Sequence, residues 1–381
     1  MEDAHKHNKL LKAEPYYVWV LAPQLVTDDP NLQYYYDFDA NIKEFEKAFN
    51  ELRLPWQWQY VTVHDYKAVI DKIADSANGH IPLVMNLCDG DEVNGAPGLS
   101  VLRYLEEKQL LYSGAREDYY HLTTSKITMK QAFDKAAVAT APWRAILNPK
   151  RDTDGICRLI GCPVIIKPAI SGGSMGLGLK NVVNNDEELR QVACELYKGY
   201  HGWDFTYGGL VAEKFISGPE FTVFITGSYD MPGEMKVYQP VERVFNDKLP
   251  DKEKFLSFDR LWDTYENEKP VGGIEYENLW EYYAPGESLC DEICRLSMDA
   301  YCAVRGTGYG RVDLRMDKNT GLMYVLEVNA QCGLSEDENY TSIGAMVRLG
   351  KENFADMIEA VLENALQTKL KNQTTAPLIA R

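Results

Sequence analysis

A chain of 381 residues is long enough for two or three packed lobes, and its formal net charge of −17 argues against nucleic acid as the main partner. Hydrophobic residues make up 45% and charged residues 25%, as in ordinary globular proteins. No apolar run is long enough to span a bilayer, and the polar residues 1–13 lack the apolar core of a signal peptide. We therefore expect a cytoplasmic protein without a membrane partner.

The first predicted elements are strands that alternate with helices. Residues 17–21, 58–63 and 83–86 have the apolar pattern of buried strands, and residues 41–52 have helical periodicity. An Asp- and Gly-rich loop, residues 88–98, follows the third strand. This alternation predicts a parallel, twisted sheet in an N-terminal α/β domain, residues 1–122.

A central lobe, residues 123–208, is predicted next. It contains helices at 125–137 and 187–197 and strands at 143–147 and 163–167. The second of these strands enters a glycine-rich loop, and residues 179–183 have the pattern of a returning strand. The two strands on either side of this loop are therefore predicted to form a hairpin.

The C-terminal lobe is predicted to span residues 209–368. Short strands at 210–215, 220–227 and 236–244 precede a helix at 289–305. Strands at 310–316 and 322–329 are joined by a turn, a helix at 351–366 closes the lobe, and residues 369–381 form a polar tail. The fold class predicted from these elements is α/β, with α+β lobes.

Cysteine and histidine spacings give no sign of a metal centre. The eight cysteines include no CxxC pair, and the six histidines lack metal-binding spacing. Free cysteines are usually buried as small hydrophobic residues. A zinc site or a disulfide framework is therefore not expected.

Residues 167–178 form a candidate phosphate-binding loop with the sequence K-P-A-I-S-G-G-S-M-G-L-G. Glycine lets backbone N–H groups approach phosphate oxygens, serine adds hydroxyl donors, and lysine adds a point charge. The spacing differs from a Walker loop because no GK[ST] follows the glycines. A flexible hairpin tip is the alternative interpretation of the loop.

A second candidate site lies on the two strands near the C-terminal end. Arg311 and Asp313 point to one face of their strand, and Glu327 and Asn329 alternate in the same way on the next strand. Two carboxylates and an amide oxygen are suitable ligands for Mg²⁺ that is shared with phosphate. The alternative is a structural ion pair between Arg311 and Asp313.

Residues 212–220, A-E-K-F-I-S-G-P-E, separate two apolar strands. Such a segment is able to line an adenine edge with backbone groups. Glu213 would then accept a hydrogen bond from an amino group, and Glu220 from ribose hydroxyls. Taken alone, this segment is explained as well by ordinary solvated charges.

Taken in chain order, the segments 167–178, 212–220 and 311–329 together resemble the ATP-grasp superfamily and, within it, the D-alanine–D-alanine ligase group of carboxylate–amine ligases. The similarity runs over about residues 82–354. It implies a three-lobed architecture in which ATP lies between the central and C-terminal lobes. It also implies an acyl-phosphate intermediate, small-molecule carboxylate and amine substrates, and a homodimer as a common assembly.

The resemblance assigns roles to individual residues. Phosphate contacts would come from Lys126, Lys167 and Ser174, with the loop residues Met175 and Gly176 closing over ATP. The adenine would be bordered by Glu213, Lys214, Phe215 and Ile216, and Glu220 would hold the ribose. Asp313, Glu327 and Asn329 would bind two Mg²⁺ ions, for which Mn²⁺ is a substitute, and Arg311 would stabilise the tetrahedral intermediate. Catalytic roles fall to Arg311, Ser174 and Lys167.

The departures from the family pattern fall on the substrate side. Residues 21–25 lack the family's glycine-rich strand end with its glutamate, and Gly173 replaces the first of two loop serines. Leu261 stands where the family has a lysine, beside Arg260. Cys332-Gly333 replaces a Pro-Gly turn, so that Gly333 and Glu338 would border the second substrate.

The serine that the family uses to hold the second substrate's carboxylate aligns near Glu338; a solvated acidic loop with a shifted alignment is the alternative interpretation. A glutamate there would repel an amino acid's carboxylate and favour a cationic or neutral amine, with Asp337, Glu336 and Asp91 adding negative charge. We therefore predict an amide ligase that does not make D-alanyl-D-alanine. The alternatives are a D-alanine–D-alanine ligase proper, a phosphotransferase on the same scaffold, and a nucleotide-binding protein without activity.

Overall fold

Three β-sheets organise the chain in this computed structural model, which describes residues 10–29, 36–76, 79–262, 268 and 278–375. A 3-10 turn at Leu10–Lys12 precedes the first sheet. This sheet is parallel, as predicted, and its strand order is β2-β1-β3-β4. Its strands are β1 Tyr16–Pro23, β2 Trp56–Val61, β3 Ile81–Asn86 and β4 Leu111–Ser113.

Three amphipathic helices belong to this first sheet: α1 Asp39–Leu52, α2 Tyr66–Asp75 and α3 Leu99–Glu107. Helix α1 buries Phe45, Ala48 and Phe49, because residues three and four apart share one side of a helix. The carboxyl ends of parallel strands meet at one edge of a sheet. The loops that follow β1 and β3 therefore open on the same side of the protein.

The second sheet is antiparallel with strand order β5-β8-β6-β7. Its strands are β5 Trp143–Ile146, β6 Val164–Pro168, β7 Val182–Val183 and β8 Leu210–Lys214. The predicted hairpin is confirmed, with Val164 opposite Val183, although the returning strand is short because Leu179–Asn181 form a 3-10 turn. The predicted lobe boundary at residue 209 does not coincide with the sheets, since β8 pairs with β5 and β6.

Four helices occur between β4 and β8: α4 Glu117–Thr124, α5 Lys126–Lys135, α6 Ile156–Ile160 and α7 Asp186–Leu196. Asn185 is the N-cap residue of helix α7, and its side chain accepts a hydrogen bond from the backbone N–H of Glu188. The third sheet has six strands: β9 Glu220–Thr226, β10 Lys236–Val237, β11 Val241–Phe245, β12 Trp280–Tyr283, β13 Tyr309–Met316 and β14 Met323–Ala330. Its main strand order is β12-β11-β9-β13-β14, and β10 pairs with β9.

The remaining segments are 3-10 turns at Pro232–Glu234 and Asp251–Glu253, and the helices α8 Phe258–Leu261, α9 Glu287–Ala303, α10 Ser342–Gly350 and α11 Phe354–Thr375. Helix α11 extends well beyond the predicted end at residue 366. Its residues Val361 and Leu362 share a hydrophobic core with Val18 and Leu83 of the first sheet. The C-terminal helix therefore packs with the N-terminal sheet, and the expected polar tail is helical as far as Thr375.

Helix α5 packs on the third sheet. In the sequence, however, it precedes all strands of the second sheet. Its residues Met129 and Phe133 are buried together with Val312 of β13 and Val328 of β14. This packing lays the helix across the two strands that carry the candidate metal ligands. Within the described residues, no helix combines the length and apolarity needed to cross a bilayer.

One pair of cysteines departs from the expectation of free thiols. Cys157 and Cys162 form a disulfide with their Cα atoms 5.3 Å apart. Cys88 and Cys332 are free and buried, as expected for small hydrophobic residues.

Candidate functional site

The candidate metal ligands lie on adjacent strands in register. Arg311 of β13 is opposite Asn329 of β14, and Asp313 is opposite Glu327. Because alternate residues of a strand point to one face, these four side chains project on the same side of the sheet. The pairing register shifts directly after Asp313, so the strands depart from regular pairing at the site itself.

Asp313 is the centre of a hydrogen-bonded group. Its Oδ2 accepts from Asn329 Nδ2 at 2.9 Å and from the Arg311 guanidinium at 3.0 Å, and its Oδ1 accepts from Thr222 Oγ1 at 3.0 Å. The ion pair between Arg311 and Asp313 is thus present, and it lies within the carboxylate cluster. Burial lowers the pKa of Arg311, but the neighbouring Asp313 outweighs this effect and raises it.

Glu327 faces the lysines of the second sheet and of α5. Its Oε2 is 3.6 Å from the Nζ of Lys126, and 28% of its side chain remains exposed. Burial raises the pKa of Glu327, but Lys126, Lys167 and Arg311 outweigh burial, so that the net pKa is lowered. Glu327 is therefore ionised at neutral pH, as a metal ligand must be.

Lys126 joins the carboxylate strands to the glycine-rich loop. Its Nζ donates to the carbonyl of Ser171 at 3.1 Å, and its backbone N–H donates to the carbonyl of Ala169 at 2.7 Å. The start of α5 is thereby fixed against the loop that is predicted to bind phosphate. Lys126 lies between Glu327 on one side and the loop on the other.

Lys167, next to the end of β6, pairs with Glu213 of β8, whose Oε2 is 3.2 Å from the lysine Nζ. The other oxygen of Glu213 accepts from the Nζ of Lys130 at 2.7 Å. The side chains of Lys130 and Glu213 are 1% and 2% exposed. Sequence reasoning missed Lys130, for which the available signal is its position one helical turn after Lys126.

The glycine-rich loop is held at several points. The Oγ of Ser174 donates to the carbonyl of Leu256 at 2.9 Å, and the indole N–H of Trp262 donates to the carbonyl of Gly173 at 2.9 Å. Met175 is fully buried. Gly176 has a φ of +77°, and a Cβ there would lie 2.7 Å from the ring of Phe205, so glycine is required. These contacts make the loop more ordered than a flexible hairpin tip.

The proposed adenine border follows β8. The backbone N–H groups of Lys214 and Phe215 donate to the carbonyls of Pro142 and Pro163, and the carbonyl of Ile216 accepts from Arg315 at 3.2 Å. Phe215 and Ile216 are buried. This segment is therefore a fixed wall rather than a set of solvated charges.

Glu220 begins β9 and is held between two arginines. Arg243 contacts one of its oxygens, and the guanidinium of Arg315 is 3.1 Å from the other. All three side chains are at most 11% exposed. Sequence reasoning did not identify either arginine. Both are distant from Glu220 along the chain, and Arg315 also lies among apolar residues of β13.

The predicted acceptor residues lie on the surface. Glu338 pairs with Arg348 at 3.2 Å, with side chains 50% and 43% exposed. Gly333 has open space where a Cβ would be. Asp91 accepts hydrogen bonds from the backbone and side chain of Asn94 at 2.9 and 2.8 Å. The acidic groups on which the prediction of a cationic acceptor depends are therefore largely partnered within the protein.

Arg260, which is adjacent to Leu261 in the sequence, is paired with carboxylates of the protein and is not available as a cation for a ligand. Its guanidinium pairs with Glu253 at 3.0 Å and with Glu268 at 3.4 Å, and its side chain is 3% exposed. Leu261 is the last residue of α8 and is partly buried. Among the described residues next to Leu261, Arg260 therefore does not replace the family lysine as an unpaired cation.

The donor set of Asp313, Glu327 and Asn329 fits Mg²⁺. Mg²⁺ usually binds one or two carboxylates and completes its shell with water and substrate phosphate oxygens. Across the described part of the chain, no group of three or more His, Cys, Asp or Glu side chains gathers as a metal centre. A site with two carboxylates and one amide is the kind that requires phosphate to complete it.

Comparisons with known proteins identify a family for most of the chain and solved structures that share its fold. The model of the family "D-ala D-ala ligase C-terminus" matches residues 133–363, more than half of the chain. The D-alanine–D-alanine ligase of Bacillus anthracis complexed with ATP has a TM-score of 0.64 at 16% identity, over 94% of this chain and 99% of that one. The D-alanine–D-alanine ligase of Coxiella burnetii has a TM-score of 0.62 at 15% identity, over 94% of this chain and 97% of that one.

Proposed function

Because the chain belongs to the D-ala D-ala ligase C-terminus family and is thus an ATP-dependent ligase that forms carbon–nitrogen bonds, we propose that it activates a carboxylate as an acyl phosphate and couples it to an amine. The predicted ATP-grasp resemblance and fold class are confirmed. The observation that carries the proposal is the register of Asp313 opposite Glu327, with Lys126 3.6 Å from Glu327.

Each charged group has a place in this reaction. ATP would lie between the glycine-rich loop and β13–β14, where Lys126 and Lys167 offset the repulsion between phosphate and the attacking carboxylate. Asp313, Glu327 and Asn329 would hold Mg²⁺, which supplies charge neutralisation at the phosphate oxygens. Arg311 would stabilise the negative charge that develops on the carbonyl oxygen when the amine attacks.

The reaction balances in two steps. A carboxylate oxygen attacks the γ-phosphorus, and ADP leaves. The amine nitrogen then attacks the acyl carbon and loses a proton, and phosphate leaves with the oxygen that came from the carboxylate. Closure of the loop around Ser174 would exclude water, which otherwise hydrolyses the acyl phosphate.

D-Alanine is the substrate that we propose for both steps. Support comes from the family and from the ligases of similar fold, which favour this alternative over a product other than D-alanyl-D-alanine. The argument for a cationic acceptor is weakened because Glu338 pairs with Arg348. The protein would act in the cytoplasm on small molecules, and residues 21–25 and Leu261 remain departures on the substrate side.

The test uses D-alanine labelled with ¹⁸O in its carboxylate, together with ATP and Mg²⁺. The proposal requires D-alanyl-D-alanine as product and one ¹⁸O atom in the released phosphate, both measured by mass spectrometry. ADP release without ¹⁸O transfer would contradict the acyl-phosphate step. A stable phosphorylated product would identify a phosphotransferase, and ligation of other amino acids or amines alone would overturn D-alanine as the substrate.

A further inference from the structure

A buried charge triad, defined as Lys130, Glu213 and Lys167, lies behind the proposed phosphate site. We propose that Lys130 and Glu213 are positioning residues for ATP. Glu213 fixes the ammonium group of Lys167, and Lys130 neutralises Glu213 so that the charge of Lys167 remains available to phosphate. This inference rests on the proposed function, since it concerns which residues set the net charge beside the proposed phosphate site.

Lys130 is too deeply buried to touch a nucleotide. Its side chain is 1% exposed, and its Nζ donates to Glu213 Oε1 at 2.7 Å and to Thr140 Oγ1 at 2.6 Å. Thr140 Oγ1 donates in turn to the carbonyl of Val325 at 2.9 Å, so it accepts from Lys130. Any effect of Lys130 on ATP binding must therefore pass through Glu213, or through Thr140 to Val325 of β14.

Glu213 connects the buried lysine to the accessible one. Its side chain is 2% exposed, whereas that of Lys167 is 16% exposed, and the Glu213 carboxylate accepts from both. Burial raises the pKa of Glu213, but Lys130 and Lys167 outweigh it and lower the net pKa. Burial also lowers the pKa of Lys130, an effect that Glu213 opposes; the short contact between the two groups favours the ion pair.

The charge balance of the triad distinguishes this role from simple packing. Two ammonium groups and one carboxylate leave a net charge of +1, and Lys167 is the member nearest to solvent. Without Lys130, the remaining pair would be neutral and Lys167 would be held by an otherwise unpaired buried carboxylate. Without both Lys130 and Glu213, the net charge would return to +1.

The triad also connects the second and third sheets. Thr140 forms an isolated bridge with Val325, which lies two residues before Glu327 on β14. Lys126 lies one turn before Lys130 on α5. The same buried network therefore supports both predicted phosphate lysines and the strand that carries two of the predicted metal ligands.

The test compares Lys130→Met with the double variant Lys130→Met/Glu213→Gln by steady-state kinetics and by calorimetric binding of ATP. We expect Lys130→Met to raise the KM for ATP about tenfold, with a smaller effect on the amino-acid KM, because the net charge of the triad falls from +1 to zero and Glu213 then neutralises Lys167. In the double variant the net charge of +1 is restored, so the KM for ATP should return to within about threefold of the wild-type value; the remaining increase reflects the loss of the carboxylate that fixes Lys167. Lys236→Met removes an exposed pair with Glu352 at 2.9 Å and serves as the matched control, with unchanged kinetics.

Several outcomes separate this inference from the proposed function. An unchanged KM for ATP in Lys130→Met, or a double variant whose KM is as high as that of the single variant, would overturn it. If Lys130→Met does not fold, the double variant alone decides, and a KM for ATP more than about threefold above the wild-type value there overturns the inference. A wild-type protein that neither binds ATP nor ligates amino acids would refute the proposed function itself.

Discussion

The proposed nucleotide end of the candidate site, around Lys130, Glu213 and Glu220, and its proposed acceptor end, around Glu338, are built differently. At the nucleotide end, Lys130, Glu213 and Glu220 are buried and held by partners on other strands or helices. At the acceptor end, Glu338 and Arg348 form a pair that is about half exposed. The three segments that carry the family resemblance lie at the proposed nucleotide end, where Gly173 is a departure from the family pattern, whereas Gly333 and Glu338 are departures at the proposed acceptor end.

The difference has a physical cause. A buried charge requires fixed partners, because desolvation is costly unless opposite charges and hydrogen bonds compensate it. An exposed pair contributes little to stability and is replaced at little cost. We infer that the proposed nucleotide end tolerates few amino-acid substitutions, whereas substitutions at the proposed acceptor end are able to change the substrate specificity.

The largest expected effect is at Glu327. Glu327→Gln removes a carboxylate charge from the proposed Mg²⁺ site and should lower kcat by about a thousandfold or more, because the phosphoryl group loses charge stabilisation. The measurement is ADP release at saturating ATP and amino acid. Glu281→Gln, on the exposed face of β12, is the control and should retain activity. Unchanged turnover in Glu327→Gln would contradict the metal site.

Glu213 provides the largest expected effect on stability. Glu213→Gln leaves Lys130 buried without a counter-charge and should lower the free energy of unfolding by about 3 kcal/mol at pH 7. The pKa of Glu213 is lower in the folded protein than its usual value. Its stabilisation is therefore complete above the unfolded-state pKa and is lost as the pH falls through the folded-state pKa.

Urea unfolding of Glu213→Gln and wild type between pH 3 and pH 8 measures this effect. The difference in unfolding free energy should be largest near neutral pH and should shrink in acid. A difference that grows as the pH falls would show that Glu213 does not carry a stabilising charge.

Gln331 tests the junction between the nucleotide end and the first sheet. Its side-chain amide donates to the carbonyl of Cys88 at 2.8 Å and accepts from the N–H of Ala115 at 3.1 Å. Gln331→Leu removes both hydrogen bonds, which leaves the N–H of Ala115 unpaired and the carbonyl of Cys88 with only the longer contact from the Tyr120 hydroxyl at 3.4 Å. The loss should cost about 2 kcal/mol of unfolding free energy. Gln191→Leu, at an exposed position on α7, is the matched control. Equal melting temperatures for the two variants would show that the junction is not supported by Gln331.

Glu338 should give the smallest effect. Glu338→Gln removes only an exposed pair with Arg348, so the KM for the acceptor amino acid should change by less than about threefold. A tenfold or larger gain in D-alanine ligation would contradict this expectation. It would restore the hypothesis that Glu338 repels the acceptor carboxylate.

The predictable parts of the fold are those with local periodicity. The parallel sheet, the hairpin around the glycine-rich loop and the two strands with Asp313 and Glu327 follow from apolar alternation and turn residues. Local patterns do not specify which distant strand is a neighbour. For this reason β8 was expected with the third lobe but pairs in the second sheet, and α11 packs on the first sheet.

The sequence by itself determined the order of the motifs, the chemical types of the site residues and the family to which they belong. Only the tertiary structure decided which charges meet: Lys130 contacts Glu213 across 83 residues, and Glu338 is paired with Arg348. The physical reason is that periodicity and spacing record local backbone geometry and one buried face. The partner of a charged side chain depends on how separate sheets and helices pack together.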